Sequence, residues 1–232
     1  STVVAPELST ALSQGDSLIG IAEDDSTFAL DIAPTEWRPD STRAWEPLAR
    51  TRERTLLIGW SSMAPRMCRE IDRHVAVGSE IHLLVDRPDE EVEAIRMAMT
   101  LENQSLTIHL GDPVAQGAVH AALDAGPFNH VLLLSEHEGF DRDEADARTL
   151  LALLHVHSHS AHGQTPDNVV AELLDPNDVE LTGSVDNRDF IVSQRLIALL
   201  MAQLSESPHL EPVFADVFDA DGASISMHPA SR

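Results

Sequence analysis

The sequence predicts an α/β fold, a doubly wound parallel sheet, over most of the chain. Between Arg52 and Asp175, short apolar runs alternate with segments of helical periodicity, which is the pattern of strands joined by helices. The first run ends in Gly59 and the second in Asp86, an arrangement that is common in βαβ units. The run His130–Ser135 is almost wholly apolar, as expected of a central strand that is buried on both faces.

Five predicted strands and the four predicted helices between them account for this alternation. The predicted strands are Thr55–Gly59, Glu80–Asp86, Ser105–Leu110, His130–Ser135 and Asn168–Leu174. The predicted helices are Pro65–Ala76, Pro88–Leu101, Pro113–Leu123 and Ala145–His159. Ser61 and Ser62 can cap the first helix, and Pro65 lies where a first-turn proline is tolerated.

The amino-terminal residues 1–50 lack the regular alternation of strand and helix patterns that follows. They predict a small α+β segment with a short helix over Pro6–Leu12 and strands over Ser17–Ala22 and Thr27–Ile32. Residues 34–50 contain three prolines and no sustained periodicity, so they predict a linker.

The carboxyl-terminal residues 189–232 also break the alternation. After a short strand at Asp189–Val192, Ser193 can cap a helix that runs to Leu204 and is apolar on more than one face. Such a helix is expected to be buried on several sides, including by another subunit. A second helix is predicted over Leu210–Phe218. We therefore divide the chain into residues 1–50, 51–188 and 189–232.

The charge balance excludes several classes of partner. The chain of 232 residues carries 39 acidic side chains against 15 Lys and Arg, a net charge of −24. This charge argues against a nucleic-acid partner and against binding to anionic lipid. The single cysteine, Cys68, excludes an internal disulfide and a cysteine-based zinc site. The sequence has no apolar run of membrane-spanning length and no signal-peptide pattern, which predicts a soluble chain in a reducing, cytoplasmic setting.

A ligand cleft is expected where the strands end, because open α/β sheets bind ligands at the carboxyl ends of their strands. The candidate cofactor-binding residues are Gly59, Trp60, Ser61, Asp86, Arg87, Gly111, Asp112, Ser135 and Glu136. Asp86 could accept a ribose hydroxyl, and the free N–H groups near Ser62 could hold an anion.

The glycine-rich fingerprint of dinucleotide-binding units is absent. The chain reads Gly59-Trp60-Ser61-Ser62-Met63-Ala64 where that fingerprint would stand, and Trp60 replaces a residue that must be small for pyrophosphate to approach. This argues against classical NAD binding. Two interpretations stay open: a cleft that holds another ligand, such as a nucleotide, or a closed cleft that is kept only as part of a scaffold.

Acidic residues near the predicted cleft are candidates for binding a hard cation such as Ca²⁺. The candidate metal ligands are Glu136, Asp141, Asp143, Asp146 and Asp175. The alternative is a solvated acidic loop with ordinary acids in the first turn of a helix. The same two interpretations, metal binding and a role without metal, apply to four histidines: His155, His157, His159 and His162. Three of them share a helical face, which suits metal binding. They also lie near a helix end, where capping is favoured.

The sequence does not indicate catalysis. It contains no nucleophile elbow, P-loop or H-E-x-x-H motif, and Cys68 lies in the middle of a predicted helix, where a core position is expected. The chain is therefore predicted not to be an enzyme.

Several segments, in the right order, resemble one family of regulatory domains. They are Ile58-Gly59-Trp60, Gly111-Asp112, Glu144–Leu151, Val170–Asp175, Phe190–Ser193 with Leu196–Leu204, and Val213–Asp219 with Gly222. Over about residues 50–228 the chain resembles the RCK (regulator of conductance of potassium) family and, within it, the CASTOR/POLLUX-type ion channels and their bacterial relatives. Residues 2–32 resemble the end of a preceding RCK unit.

The resemblance implies a Rossmann-like lobe in a cytosolic, ligand-sensing domain that gates a cation channel or transporter. Such domains pair and form a homo-oligomeric ring at the cytoplasmic face of the membrane, where ligand binding acts on the pore domain of the same longer protein. The helix Ser193–Leu204 matches the crossover helix that is exchanged between partners, and the plant relatives imply a calcium effector. The alternatives are an NAD(P)-dependent oxidoreductase and an oligomerisation scaffold without a ligand.

Overall fold

The computed structural model describes residues 50–160, 166, 168–178 and 190–219, together with residues 10, 11 and 13. The chain divides into two compact units, residues 1–49 and 50–232, and the description below concerns the second. The elements predicted over Pro6–Leu12, Ser17–Ala22 and Thr27–Ile32 lie wholly or largely outside the described residues.

Six parallel strands form one open sheet with the strand order β3-β2-β1-β4-β5-β6. The strands are β1 (Arg54–Ile58), β2 (Ser79–Val85), β3 (Gln104–Leu110), β4 (His130–Leu133), β5 (Asn168–Leu173) and β6 (Phe190–Val192). At the centre, Leu57 of β1 is in register with Leu83 of β2 and Leu132 of β4. The order reverses between β1 and β4, so the carboxyl ends of these two strands flank the switch point where such sheets form a cleft.

Helices alternate with these strands, which confirms the predicted α/β class and its Rossmann-like topology. The helices are α1 (Ala64–His74), α2 (Asp89–Ala98), α3 (Gln116–Leu123), α4 (Arg142–Ser160), α5 (Ser193–Glu206) and α6 (Glu211–Val217). The predicted ends agree with the observed ends to within three residues. The offset reaches three at the end of α2 and at the starts of α3 and α4.

The two predicted serine caps are wrong. Helix α1 begins after Met63, and no side-chain hydrogen bond caps it. A turn in which the Ala64 N–H donates to the Ser61 carbonyl precedes the helix, so Ser61 and Ser62 lie too early to cap it. Ser193 is itself the first residue of α5, where Val192 takes the capping position without a side-chain bond.

Apolar side chains pack against both faces of the sheet. Leu56 and Ile58 of β1 point to the face covered by α3 and α4, and Leu57 between them points to the face covered by α1 and α2. Cys68 packs in this second cluster, where burial raises its pKa to about 12 and keeps the thiol unreactive. The predicted core position of Cys68 is thereby confirmed.

Helix α5 is not buried within the single chain, and its expected burial against another subunit stays a prediction. None of its residues is buried. It packs against β6 and a 3₁₀ turn at Pro208–Leu210, and Arg142 of α4 donates to Gln194 Oε1 at 3.0 Å. The exposed fractions of Leu196, Ile197, Leu199 and Met201 are 47%, 56%, 55% and 67%. None of the helices in the described part of the chain is long and apolar enough to cross a membrane.

Two histidines share a hydrogen bond across β2 and β3. The Nδ1 atom of His82 lies 2.9 Å from Nε2 of His109, and the rings stack with centroids 5.2 Å apart. On its other side, His82 Nε2 lies 3.2 Å from a carboxylate oxygen of Glu80, which also accepts a hydrogen bond from Arg54. Of the two facing nitrogens one donates and the other accepts, according to the tautomers of the rings.

Replacing His109 with glutamine is expected to flatten the loss of stability in weak acid. Burial, and then His82, lower the pKa of His109 below its ordinary value of 6.5, so the unfolded chain binds a proton that the folded chain does not. The stability is complete above pH 6.5 and falls as the pH drops towards the lower folded pKa. Urea unfolding between pH 5 and 7.5 tests this, with exposed His74→Gln as the control. Equal pH slopes in wild type and His109→Gln would contradict it.

Candidate functional site

The floor of the candidate site is the sharp turn after β1. Gly59 has a φ of 88°, and its N–H donates to the Leu84 carbonyl at 3.0 Å. A Cβ at this position would lie 2.8 Å from the Leu134 carbonyl oxygen, so only glycine fits. The side chain of Trp60 packs on the apolar cluster that contains Leu57, away from the α3 and α4 face.

An arginine from α4 fills the cleft above this turn. Arg148 donates to Asp112 Oδ1 at 3.0 Å and to Glu136 Oε2 at 3.4 Å. Its guanidinium carbon lies 4.2 Å from the centre of the Phe140 ring, in cation–π contact. Two carboxylates and an aromatic face therefore hold one cation between the ends of β3 and β4.

The space that is left beside Arg148 is small. A cavity of about 10 Å³ lies between β1, β4 and α4, with Gly59, Glu136, Arg148 and Thr149 in its lining. This is about the room that one water needs, whereas ligand pockets occupy roughly 300–1,000 Å³. The cleft is closed in this structure.

The carboxylate of Glu138, which like Glu136 lies between β4 and α4, contacts the turn before α1. The Ser62 N–H donates to Glu138 Oε1 at 2.9 Å. Hydrogen bonds from Ser62 lower the pKa of Glu138 below its usual value, since they stabilise the charged form. The expectation that free N–H groups near Ser62 could hold an anion is met by a side chain of the protein itself.

Only some of the predicted cleft residues meet. Asp112 and Glu136 contact Arg148, and Gly59 lines the same cavity, whereas Asp86 is exposed. Arg87 pairs with Glu91 of α2 at 3.8 Å.

The other predicted cleft residues serve the fold. Gly111 lets α3 approach, since a Cβ there would lie 2.8 Å from the Ala118 Cβ. Ser61 is buried and supplies the carbonyl of the turn before α1. The Ser135 N–H donates to Glu172 at 3.3 Å, and the Ser135 Oγ is buried with no hydrogen-bond partner among the described residues.

The residues that the sequence analysis missed are Arg148, Glu138, Phe140 and Thr149. Arg148 lies three residues after buried Ala145 and four before buried Ala152, so it falls on the sheet-facing side of α4. A cation on the inner face of a helix, in a chain with few cations, is a signal that could have indicated Arg148. The contact of Glu138 depends on the path of its loop and has no such signal.

Four of the five predicted metal ligands are engaged by other groups, among them Glu136, which pairs with Arg148. Asp146 is fully buried and accepts hydrogen bonds from the Leu174 and Asp175 N–H groups at 2.9 and 2.8 Å. The Asp175 carboxylate pairs with Arg142, and Asp141 accepts from the Glu144 N–H in the first turn of α4.

These acids do not assemble into a metal site in the structure. No group of three or more His, Cys, Asp or Glu side chains in the described ranges is arranged to hold a metal ion. Asp143, Asp146 and Asp175 do lie near Asp178, whose pKa is raised by burial and then by these carboxylates. The calcium site stays a hypothesis that would need a rearrangement of these side chains.

The histidines of α4 join this helix to α3, a role that neither capping nor metal binding predicted. His155 Nε2 lies 3.2 Å from the Val114 carbonyl, and His159 Nε2 lies 2.9 Å from Asp124 Oδ1. From the other side, His120 of α3 contacts the His155 carbonyl at 3.2 Å. His162 lies outside the described residues.

Comparison with known proteins gives a consistent result at low identity. No family profile matches the chain. The probable ion channel CASTOR of Oryza sativa subsp. japonica is 26% identical over 98% of this chain, and the ion channel CASTOR of Lotus japonicus is 24% identical over 98%. The chain resembles plant ion channels over nearly its whole length. The ion channel DMI1 of Medicago truncatula is 24% identical, again over 98% of the chain.

The similarity covers only part of these channels. The chain spans 29% of the rice protein and 30% of each of the Lotus and Medicago channels. Among solved structures, an NADH-dependent reductase A1-R' complexed with NAD is 16% identical, with a TM-score of 0.34, over 71% of this chain and 74% of that one. A score this low carries no argument about a cofactor.

Proposed function

We propose that the chain is a non-enzymatic, RCK-type regulatory domain of a cation channel, which assembles into an oligomeric ring on the cytoplasmic side and transmits effector binding to a membrane pore. The observation that carries this proposal is the similarity of 97–98% of the chain to seven ion channels, each of which is about three to four times longer. The ring and the cytoplasmic placement come from the family resemblance and are part of the proposal.

Helix α5 supports the assembly step. Leu196, Ile197, Leu199 and Met201 together expose a large apolar surface on a helix that has no buried residue. Removing a Leu, Ile or Met side chain from water yields about 1.5–3 kcal/mol, so an apolar partner would stabilise this helix strongly. We infer that the partner is another copy of this helix, exchanged across a two-fold pair.

The double variant Ile197→Glu, Leu199→Glu is expected to raise the dissociation constant of the oligomer by at least about 100-fold, because two carboxylates would be buried in the interface. Light scattering and sedimentation at micromolar concentration measure the mass. Gln203→Glu, which adds one negative charge at an exposed position of the same helix, is the control and should leave the mass unchanged. A wild-type chain that is monomeric would contradict the assembly proposal.

The effector is the second part of the proposal. The two candidate effectors are Ca²⁺ and a nucleotide. The closed cleft favours one competing function, an oligomerisation scaffold that binds no ligand. Calorimetric titration with calcium, NAD and AMP separates these functions. Binding of calcium or AMP supports the regulatory domain, and no heat with any of them supports the scaffold. Tight NAD binding with reductase turnover would contradict both.

A further inference from the structure

The segment between β4 and α4 closes the cleft with its own side chains. We call residues 135–141 the cleft loop. It supplies Glu136 and Phe140 to Arg148 and Glu138 to the start of α1. Three side chains of one short segment thus reach two walls of the same cleft.

Both contacts of this loop place a carboxylate of the loop against a donor on another element. Glu138 brings a negative charge to the Ser62 N–H, in the turn that precedes α1. Glu136 brings a second negative charge to Arg148, which is also held by Asp112 from the end of β3. The loop is therefore held to α1, to α4 and, through Arg148, to the β3 end of the sheet.

The Glu138 carboxylate lies just before the first helix, near the end at which dinucleotide-binding sheets of this topology bind phosphate. The N–H groups that begin the first helix are where dinucleotide-binding units place a phosphate. This chain lacks the glycines of that cradle, and a carboxylate of the protein accepts the Ser62 N–H instead.

Water reaches some of these contacts but not those of the core, so the loop can open while the sheet stays folded. Glu138 is exposed, and Arg148 retains a side-chain exposure of 22%, so water competes for both. Glu136 is buried, so its contact with Arg148 is the more protected of the two. Exposed ion pairs contribute little to stability, whereas the strands beneath are held by fully buried leucines. Segments held mainly by accessible polar contacts open before the core does.

We propose that the cleft loop is an intramolecular strap that holds the cleft shut, with Glu138 as a tethered anion on the turn before α1, and that its opening without unfolding of the sheet is the movement on which access to the cleft depends. The proposal rests on the proposed function only in its use for sensing a ligand. The strap itself is a property of this chain.

A thiol placed in the cavity reports the opening. Thr149 lines the cavity and is 4% exposed, so Thr149→Cys reacts with iodoacetamide only when the cleft opens. The native Cys68 is buried in the cluster on the opposite face of the sheet, so its alkylation reports global unfolding. Each rate is measured by mass spectrometry in the full chain and divided by the rate in denaturant, which removes the difference in thiol reactivity. Ala152→Cys, which lines the same cavity, is the second reporter if the first does not fold.

The strap predicts that the thiol at position 149 is alkylated at least about ten times faster than Cys68 after this correction. Glu138→Gln is expected to increase the rate at position 149 by about fivefold to tenfold, since a charged hydrogen bond becomes a neutral one. The rate at Cys68 should not change. Glu144→Gln, the same change at an exposed position after the loop, should alter neither rate.

Two results would overturn the strap. Equal corrected rates at position 149 and at Cys68 would mean that the cleft opens only when the chain unfolds. An effect of Glu138→Gln no larger than that of Glu144→Gln would mean that Glu138 does not hold the loop. Neither result depends on the mass of the oligomer, so failure of the strap and failure of the proposed ring are separate outcomes.

Discussion

Replacing Asp146 with alanine is expected to lower the free energy of unfolding by about 3 kcal/mol. Asp146 is fully buried in α4 and accepts hydrogen bonds from the N–H groups of Leu174 and Asp175, directly after β5. Its removal leaves both donors without an acceptor in the interior. An unpaired buried donor costs roughly 1–3 kcal/mol, which makes this loss large for a single side chain.

Urea unfolding followed by circular dichroism measures this effect. Asp143→Ala is the matched control, because Asp143 is an exposed acid in the first turn of the same helix, and its loss should cost less than about 1 kcal/mol. Similar losses in the two variants would show that Asp146 acts only through helix charge.

Calcium tests the metal hypothesis in the same assay, since a cation bound by Asp146 would raise the wild-type midpoint and leave Asp146→Ala unaffected.

Gly59→Ala is expected to cost about 2–3 kcal/mol, the second largest effect. The φ of 88° at Gly59 is unfavourable for a residue with a Cβ, and the added carbon would lie 2.8 Å from the carbonyl oxygen of Leu134. Because that oxygen belongs to the backbone leaving β4, the contact is relieved only by moving a central strand.

Gly117→Ala is the control for this substitution. Gly117 lies inside α3, and a Cβ there meets nothing within 4 Å, so alanine should stabilise the helix by roughly 0.5–1 kcal/mol. The two variants make the same chemical change and are expected to shift the urea midpoint in opposite directions. A Gly59→Ala protein as stable as wild type would contradict the geometry of the turn.

The fold was predictable from the sequence, because its determinants are local. The run Leu56-Leu57-Ile58 ends at a glycine, and β2 and β4 contain comparable apolar runs, each followed by a turn and a helical pattern. Parallel strands buried on both faces need such runs, so their positions can be found to within a few residues. The serine caps failed because an extra turn separates Ser61 from the helix.

The site was less predictable, because its contacts join distant segments. Asp112 and Glu136 were expected in the cleft, but Arg148, which fills it, lies 36 residues from Asp112 and 12 from Glu136. Asp146 was grouped with solvated or metal-binding acids, since composition cannot distinguish a surface carboxylate from one that accepts buried N–H groups. Such roles depend on which backbone groups lie opposite, and that is decided by tertiary structure.

The order of the strands has a consequence for how the chain folds during synthesis. Strand β1 lies at the centre of the sheet between β2 and β4, and the N–H of Arg54 donates to Asn129, 75 residues further along. On the ribosome, β1, β2 and β3 can pair early, but the second edge of β1 stays bare until β4 has emerged. This edge carries the apolar Leu56-Leu57-Ile58 run, which is prone to pairing with another chain while exposed. Slow elongation between residues 59 and 130 therefore prolongs the most aggregation-prone stage, and substitutions that delay β4 reduce the yield of folded protein more than their effect on final stability suggests.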